Sequence, residues 1–237
     1  MQTKKSSNLA IALIWFTAAI SMAEILTGTW FAPLGWQKGL IAIVVGHFIG
    51  GSMFFCAGYI GAKTQKSAMQ TVQISFGEKG SYLVSFLVSA TQVGWFGVGV
   101  AMFAIPVSKV TGINVGILVL VSGLLMTATA FFGMKSLTIL SMIAVPSIAI
   151  LGSISAGKAI GDVGGITGLL SIEPTGTMTM SAALASVVGT FISGGTLTAD
   201  FTRFSKDKKT AVSTTVIAFL IGNSLMLAFG AIGAMAT

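Results

Sequence analysis

The chain has 237 residues, of which 54% are hydrophobic and only 8% are charged, with a net charge of +7. Soluble globular proteins carry about 25% charged residues, so this composition excludes a soluble domain and indicates a membrane protein. A positive charge can indicate nucleic-acid binding, but here the basic residues lie in short gaps between apolar stretches, and we expect no nucleic-acid partner.

Apolar stretches long enough to cross a bilayer predict an all-α integral membrane protein with about seven transmembrane helices in one transmembrane domain. The first stretch is too long for a cleavable signal peptide, and further spans follow it. Within residues 1–237 the predicted spans are approximately 9–34, 39–61, 81–107, 113–133, 136–157, 182–203 and 211–235.

The first span carries a carboxylate near its middle. Its central sequence, AISMAEILTG, covers residues 19–28 and places Glu24 between Ser21 and Gly28. Ionisable residues inside a membrane segment are energetically costly and usually functional, which makes Glu24 a candidate site residue. The alternative is a partly hydrated glutamate nearer the outer end of the span.

Two further polar residues inside the spans, His47 in the second and Asn223 in the seventh, are expected to form interhelical hydrogen bonds. Between the second and third spans lies a loop, 63–80, which has room for a short amphipathic helix.

The third span places an amide and a large aromatic side chain one helical turn apart. Gln92 and Trp95 lie in the sequence ATQVGWFGVG, close to the centre of the span. An unpaired amide at that depth is costly, so the pair predicts either a ligand-binding face or an interhelical hydrogen bond next to a packing tryptophan.

The sixth span contains paired glycines, Gly194 and Gly195, in the sequence GTFISGGTLTADF. Taken alone, the pair favours close helix packing. However, spans one, three and six all carry polar or glycine residues at one depth, and spans one and six correspond in two five-helix repeats. That pattern predicts a transporter's substrate site, with helix breaks within residues 19–28 and 193–196.

The distribution of lysine and arginine predicts a cytoplasmic N-terminus. Ten of these residues fall on the N-terminal side of the predicted membrane and three, Lys38, Lys109 and Lys158, on the other. The segment 161–179 is then expected outside.

Five segments closely resemble bacterial cytosine permeases of the nucleobase–cation symporter family. They are GYIGAKT (58–64), SFGEKGSYL (75–83), TQVGWFGVGVAMFAIPV (91–107), VSGLLMTATAFFG (121–133) and ISGGTLTADFTRF (192–204). The first span differs: AEILTGTWFAPLGWQKG (23–39) is more similar to the family's hydroxymethylpyrimidine transporters. It has Glu24 where cytosine permeases tend to have an uncharged residue.

The resemblance implies a LeuT-like inverted-repeat transporter fold that is incomplete in this chain. Family members have roughly twelve spans, and the chain resembles the first seven. We therefore expect an N-terminal part of a longer protein, or a truncated product. The family's eighth span, which supplies cation ligands and an amide contact to the substrate, would be missing.

The resemblance also implies roles for individual residues. Trp95 would stack on a pyrimidine ring and Gln92 would hydrogen-bond its edge. Phe191 would form a second aromatic wall, and Ser193, with the backbone around Gly194, would face the ring.

In the first span, the resemblance implies that Ser21 approaches the substrate, with Glu24 close by. The backbone carbonyls near Phe16 and Ile20 would contribute to a sodium site.

The sequence therefore predicts a secondary active transporter in the bacterial inner membrane, which imports a pyrimidine base, first of all cytosine, coupled to Na⁺ or H⁺. The alternatives are transport of hydroxymethylpyrimidine, a thiamine precursor, or a transport-inactive fragment. A pore built from half-helices is a further possibility, separable by saturable, cation-dependent uptake. An enzyme ranks last, because one histidine, one cysteine and few carboxylates offer no metal cluster or nucleophile–base pair, and no cofactor is expected.

Overall fold

The computed structural model describes residues 8–236, except for the side chains of Asn8, Ala10, Met134 and Ser193. Within this range the chain forms nine α-helices. In chain order the helices are α1 (Asn8–Ala19), α2 (Met22–Thr29), α3 (Gly35–Thr64), α4 (Ala68–Thr111), α5 (Val115–Phe131), α6 (Met134–Asp162), α7 (Gly165–Leu170), α8 (Met180–Thr202) and α9 (Lys208–Met235).

Five segments of the described residues are long and apolar enough to cross a membrane: Met22–Thr64, Ala68–Thr111, Lys135–Asp162, Met180–Thr202 and Lys208–Met235. Helix α5 is equally apolar in character but has only 17 residues. The seven predicted spans correspond in order to α1 with α2, then α3, α4, α5, α6, α8 and α9, while the short α7 lies in the segment 161–179.

The first span is interrupted where its polar residues begin. Helix α1 ends at Ala19 and α2 begins at Met22, and between them Ser21 is extended, with φ −127° and ψ 156°. The Ser21 hydroxyl oxygen accepts a hydrogen bond from the backbone N–H of Glu24 at 3.4 Å, which caps the new helix. The predicted break in this span is confirmed.

Helix α8 is continuous, so the predicted break at residues 193–196 is wrong. Its glycines serve packing instead: a Cβ atom on Gly194 would lie 2.9 Å from Cζ of Phe54 in α3. Glycine weakens a helix by about 1 kcal/mol relative to alanine. Here, the close approach of two helices that only glycine permits offsets that cost.

The partner helix α3 contributes glycines to the same interface. A Cβ atom on Gly46 would lie 2.6 Å from Cβ of Val187, and one on Gly61 would lie 2.5 Å from Cα of Ala199. Both distances are shorter than real Cβ contacts, so only glycine lets the α3 backbone approach α8 this closely. We call this row of contacts the glycine seam.

Four aromatic rings from four helices form the centre of the core. Trp15 of α1 and Phe54 of α3 have ring centroids 5.0 Å apart, and Phe219 of α9 lies 4.4 Å from Phe54 and 4.8 Å from Phe191 of α8. Such edge and tilted contacts between buried rings are favourable beyond the area that they bury. The cluster holds α1, α3, α8 and α9 around one centre.

Helix α4 begins with a short separate helix. Gly77 has non-helical angles, φ 67° and ψ 179°, which divide residues 68–76 from the rest of α4. A capping box starts the short helix, since Ser67 N–H donates to Gln70 at 2.9 Å and Gln70 N–H donates back to the Ser67 hydroxyl at 3.2 Å. The helix occupies the loop 63–80, where the sequence has room for one.

Candidate functional site

A cavity of about 530 Å³ lies between the break in the first span, helix α4 and helix α8. Its volume is within the range of small-molecule sites, about 300–1,000 Å³. Five of the residues predicted for the site line it: Ser21, Glu24, Gln92, Trp95 and Gly194. They come from three separate spans, so the fold assembles them from distant parts of the sequence.

The structure places Phe191 in the core and not at the cavity wall. Its side chain is fully buried, and its ring lies 5.1 Å from His47 and 4.8 Å from Phe219, between ring centroids. The reason is the continuity of α8: because the helix does not unwind at residues 193–196, Phe191 keeps the orientation that faces α3 and α9. The side chain of Ser193, also predicted for the site, lies outside the described residues.

The two residues predicted for a cation site lie at the end of α1. The Phe16 carbonyl accepts the backbone N–H of Ile20 at 2.8 Å, which closes the last turn before the break. Each carbonyl oxygen has a second lone pair, so this bond leaves Phe16 able to accept one more contact.

Sequence reasoning missed several aromatic residues at the cavity. Trp15, Trp30, Phe201 and Phe219 all line it. A signal was present for one of them: Phe201 lies seven residues after Gly194, on the same face of an unbroken α8.

A buried asparagine connects three helices beside the cavity. Asn223 of α9 is fully buried, and its amide nitrogen donates a hydrogen bond to the hydroxyl oxygen of Thr190 in α8 at 3.3 Å. The same side chain is adjacent to the Glu24 carboxyl of α2 and to the His47 ring of α3. Thr190 and Glu24 both line the cavity, so Asn223 supports its wall from behind.

His47 has a defined proton position in this cluster when its ring is neutral. Its Nδ1 lies 2.6 Å from the Ile43 carbonyl oxygen, and because a carbonyl can only accept, Nδ1 carries the hydrogen. Its Nε2 then accepts from the Ser224 hydroxyl at 3.3 Å. The bonds of His47 and Asn223 across helices confirm the sequence prediction for both residues.

Two buried oxygens of the cluster have no donor among the described residues: Oε2 of Glu24 and Oδ1 of Asn223. Buried acceptors without donors are rare and cost free energy, usually about 1–3 kcal/mol each. Glu24 is only 7% exposed, so bulk water solvates it little. Of these two residues only Glu24 lines the cavity, so its oxygen is the acceptor that a proton or a bound donor would satisfy there.

A solved structure described as the inward-facing conformation of Mhp1 matches this fold with a TM-score of 0.76 and 20% sequence identity. The match covers 98% of this chain and 54% of that one. It confirms the LeuT-like fold predicted from the sequence.

Two curated relatives are the cytosine permeases of Escherichia coli strain K12 and Escherichia coli O157:H7. Each is 47% identical over 236 residues, which cover 99% of this chain and 56% of the relative. The chain thus spans about half the length of the curated relatives that it matches.

Residues 2–237 match the sequence family described as "Permease for cytosine/purines, uracil, thiamine, allantoin". The match extends over nearly the whole chain, including every residue that lines the cavity. The chain therefore belongs to this family of multi-pass membrane permeases, which are transporters and not enzymes.

Proposed function

We propose that this chain forms the substrate cavity of a secondary transporter that imports a pyrimidine base, with cytosine as the first candidate. The observation that carries the proposal is the position of Gln92 and Trp95, which lie one helical turn apart on α4 and both line the cavity. A base has a flat apolar face and a polar rim, and this pair offers a surface for each.

The two side chains divide the recognition of a base between them. Trp95 is 45% exposed, so part of its indole is available to a ligand. Stacking of a base on an aromatic side chain contributes about 1–3 kcal/mol. The Gln92 amide carries both a donor and an acceptor, which suits the mixed edge of a pyrimidine.

The names of the relatives support cytosine, since both E. coli proteins are cytosine permeases. Glu24 favours a second candidate, hydroxymethylpyrimidine, a precursor of the thiamine that the family description includes. The Glu24 carboxyl lines the cavity and would accept a hydrogen bond from an exocyclic amino or hydroxymethyl group.

Two features support coupling to a cation. The buried Glu24 carboxyl favours H⁺, because its Oε2 lacks a donor and a proton would neutralise the charge beside the cavity. The backbone carbonyls near Phe16 and Ile20, at the break in the first span, support Na⁺ as the alternative.

The same proposal places the protein in the bacterial inner membrane with its N-terminus in the cytoplasm. Support comes from the ten-to-three bias of lysine and arginine. Labelling of single-cysteine replacements in a Cys56→Ser background tests it: a cysteine at Lys38 should react from outside intact cells, and one at Lys206 should not.

Binding and uptake measurements test the function itself. The purified chain in lipid nanodiscs is titrated with radiolabelled cytosine, with unlabelled uracil and hydroxymethylpyrimidine as competitors. Saturable cytosine binding that a Trp95→Ala variant loses is the expected result, whereas a folded chain that binds no pyrimidine would contradict the proposal. Uptake into proteoliposomes that saturates and follows a Na⁺ or H⁺ gradient separates a carrier from a pore.

A further inference from the structure

An apolar groove of about 500 Å³ lies on the surface formed by α3 and α9, well away from the substrate cavity. Phe55 and Tyr59 of α3 form one wall, and Val216 and Ile217 of α9 contribute to the other. Lys208 and Lys209 lie at one end of the groove and also border a neighbouring cavity, whose lining adds Lys63 and Lys206. We call this surface the lysine-rimmed groove.

The residues of the groove follow the periodicity of two packed helices. Phe55, Tyr59 and Lys63 are four residues apart, so they lie on one face of α3. Eight residues separate Phe55 from Lys63, and the same number separates Lys209 from Ile217, so each wall is about 12 Å long at about 1.5 Å per residue.

This length matches one leaflet of a bilayer. The hydrocarbon core is about 30 Å thick, so each leaflet contributes about 15 Å. The apolar part of the groove would therefore lie among the acyl chains, and the lysines at its end would lie at the level of the headgroups. The Lys63 ammonium is 5.7 Å from the centre of the Tyr59 ring. This pair therefore lies where the apolar part of the groove meets the lysines at its end.

The rim carries a net positive charge, because four lysines and one carboxylate, Asp207, border it. None of the four lysines forms an ion pair among the described residues. The carboxylate closest in sequence, Asp207, accepts the backbone N–H of Thr210 at 2.7 Å as the cap of α9. Lys208 and Lys209 also lie in the first turn of α9, where the positive end of the helix dipole disfavours cations. An anion at this position would relieve both effects.

We propose that the lysine-rimmed groove binds an anionic phospholipid, with one acyl chain along Phe55, Tyr59 and Ile217 and the phosphate at Lys63, Lys208 and Lys209. Basic sites between transmembrane helices are suited to anionic headgroups, and the apolar groove adds specificity for a molecule that carries a chain. A second copy of the chain does not fit equally well, because a two-fold symmetric contact through this surface would place the lysines of one copy against those of the other.

Native mass spectrometry of the purified chain tests the proposal. The chain is first exchanged into detergent that contains equal amounts of phosphatidylglycerol and phosphatidylcholine with the same acyl chains. We expect phosphatidylglycerol to be retained preferentially. A triple variant, Lys63→Gln, Lys208→Gln and Lys209→Gln, should lower that preference by about a hundredfold, since each basic residue near a headgroup contributes to the attraction. The matched control, Lys38→Gln, Lys109→Gln and Lys158→Gln, removes the same charge elsewhere and should keep it.

A second variant tests the groove independently of charge. Ile217→Trp places a larger side chain in the groove and should lower retention of phosphatidylglycerol. Added inorganic phosphate should not displace the lipid from the wild-type chain. Equal retention of the two lipids by the wild-type chain would overturn the proposal, and so would an equal loss in the control triple variant. Displacement of the lipid by inorganic phosphate would assign the rim to a free anion, and a change of oligomeric state in the triple variant would assign the surface to a contact between copies.

Discussion

Asn223 donates a hydrogen bond to Thr190 across 3.3 Å and so joins α9 to α8 directly behind the cavity wall. The same side chain is also a hydrogen-bond neighbour of the Glu24 carboxyl, whose Oε2 is buried. One buried side chain thus relates the packing of two helices to the protonation of a cavity residue. This relationship leads to the first prediction.

Glu24→Gln should make cytosine binding nearly independent of pH. Rising pH removes a proton from Glu24 and leaves a buried, poorly hydrated carboxylate beside the cavity, so wild-type binding should weaken as pH rises. Glutamine keeps a donor at all pH values. Binding to the purified chain between about pH 5 and pH 8 checks this, with His47→Gln as the control, because His47 is the other ionisable residue of the cluster. Identical pH profiles for wild type and Glu24→Gln would assign Glu24 no part in coupling.

Trp95→Ala should weaken cytosine binding by about 1–3 kcal/mol, because the stacking surface is lost. Trp95→Phe should keep part of the affinity, since a smaller ring still stacks. Phe96→Ala is the matched control: Phe96 is 43% exposed, next to Trp95, and does not line the cavity. Calorimetric titration of folded variants measures the effect, and wild-type affinity in Trp95→Ala would leave the tryptophan a packing role.

Gln92→Ala should reduce discrimination between pyrimidines more than it reduces affinity. The variant removes hydrogen bonds to the edge of the base but leaves the Trp95 face in place. The ratio of cytosine to uracil affinity should therefore approach one. An unchanged ratio with uniformly weaker binding would show that Gln92 supports the cavity without contacting the base edge.

Gly46→Ala should destabilise the protein by about 1–3 kcal/mol, because its methyl group would lie 2.6 Å from the fully buried Val187 in the glycine seam. Gly97→Ala is the control, since a Cβ there meets nothing within 4 Å. That variant should be neutral or slightly stabilising through helix propensity. Thermal unfolding in detergent distinguishes them, and equal midpoints would argue against tight packing in the seam.

Asp207→Ala should lower stability at neutral pH and have little effect in acid. Hydrogen bonds from Thr210 hold the pKa of the Asp207 carboxyl below its ordinary value. A lowered pKa means that the stabilisation is present above the ordinary pKa and is lost as pH falls through the lower one. Asp207→Asn, which can still accept a hydrogen bond at the cap, should be less affected. Unfolding midpoints of the three proteins across pH should converge in acid if the cap acts in this way.

The sequence predicted those features that depend on local composition. Glu24 and Ser21 mark a place where polar groups interrupt an apolar span, and the chain does leave the helix at Ser21. Gln92 and Trp95 were found by their spacing on one helix, which also brings both to the cavity.

Features that depend on a partner helix were not predictable in the same way. Paired glycines can either break a helix or permit close packing against a neighbour. The position of Phe54 opposite Gly194 shows that they permit packing here. The orientation of Phe191 follows from that outcome, and so does its place in the core. The sequence around residue 194 does not indicate that Phe54 lies opposite Gly194 in the fold.

The direction of the glycine seam also constrains how many membrane crossings lie between α3 and α8. Its contacts pair Gly46 with Val187 and Gly61 with Ala199, so residue numbers rise together and α3 runs parallel to α8. Helices that each cross once can be parallel only if an odd number of crossings lies between them. The long helices α4 and α6 are candidates for two, so we expect α5, with 17 residues and a length of about 26 Å, to be the third. A deletion of α5 would reverse α8 relative to α3, and Gly194 would no longer face Gln92 and Trp95 across the cavity.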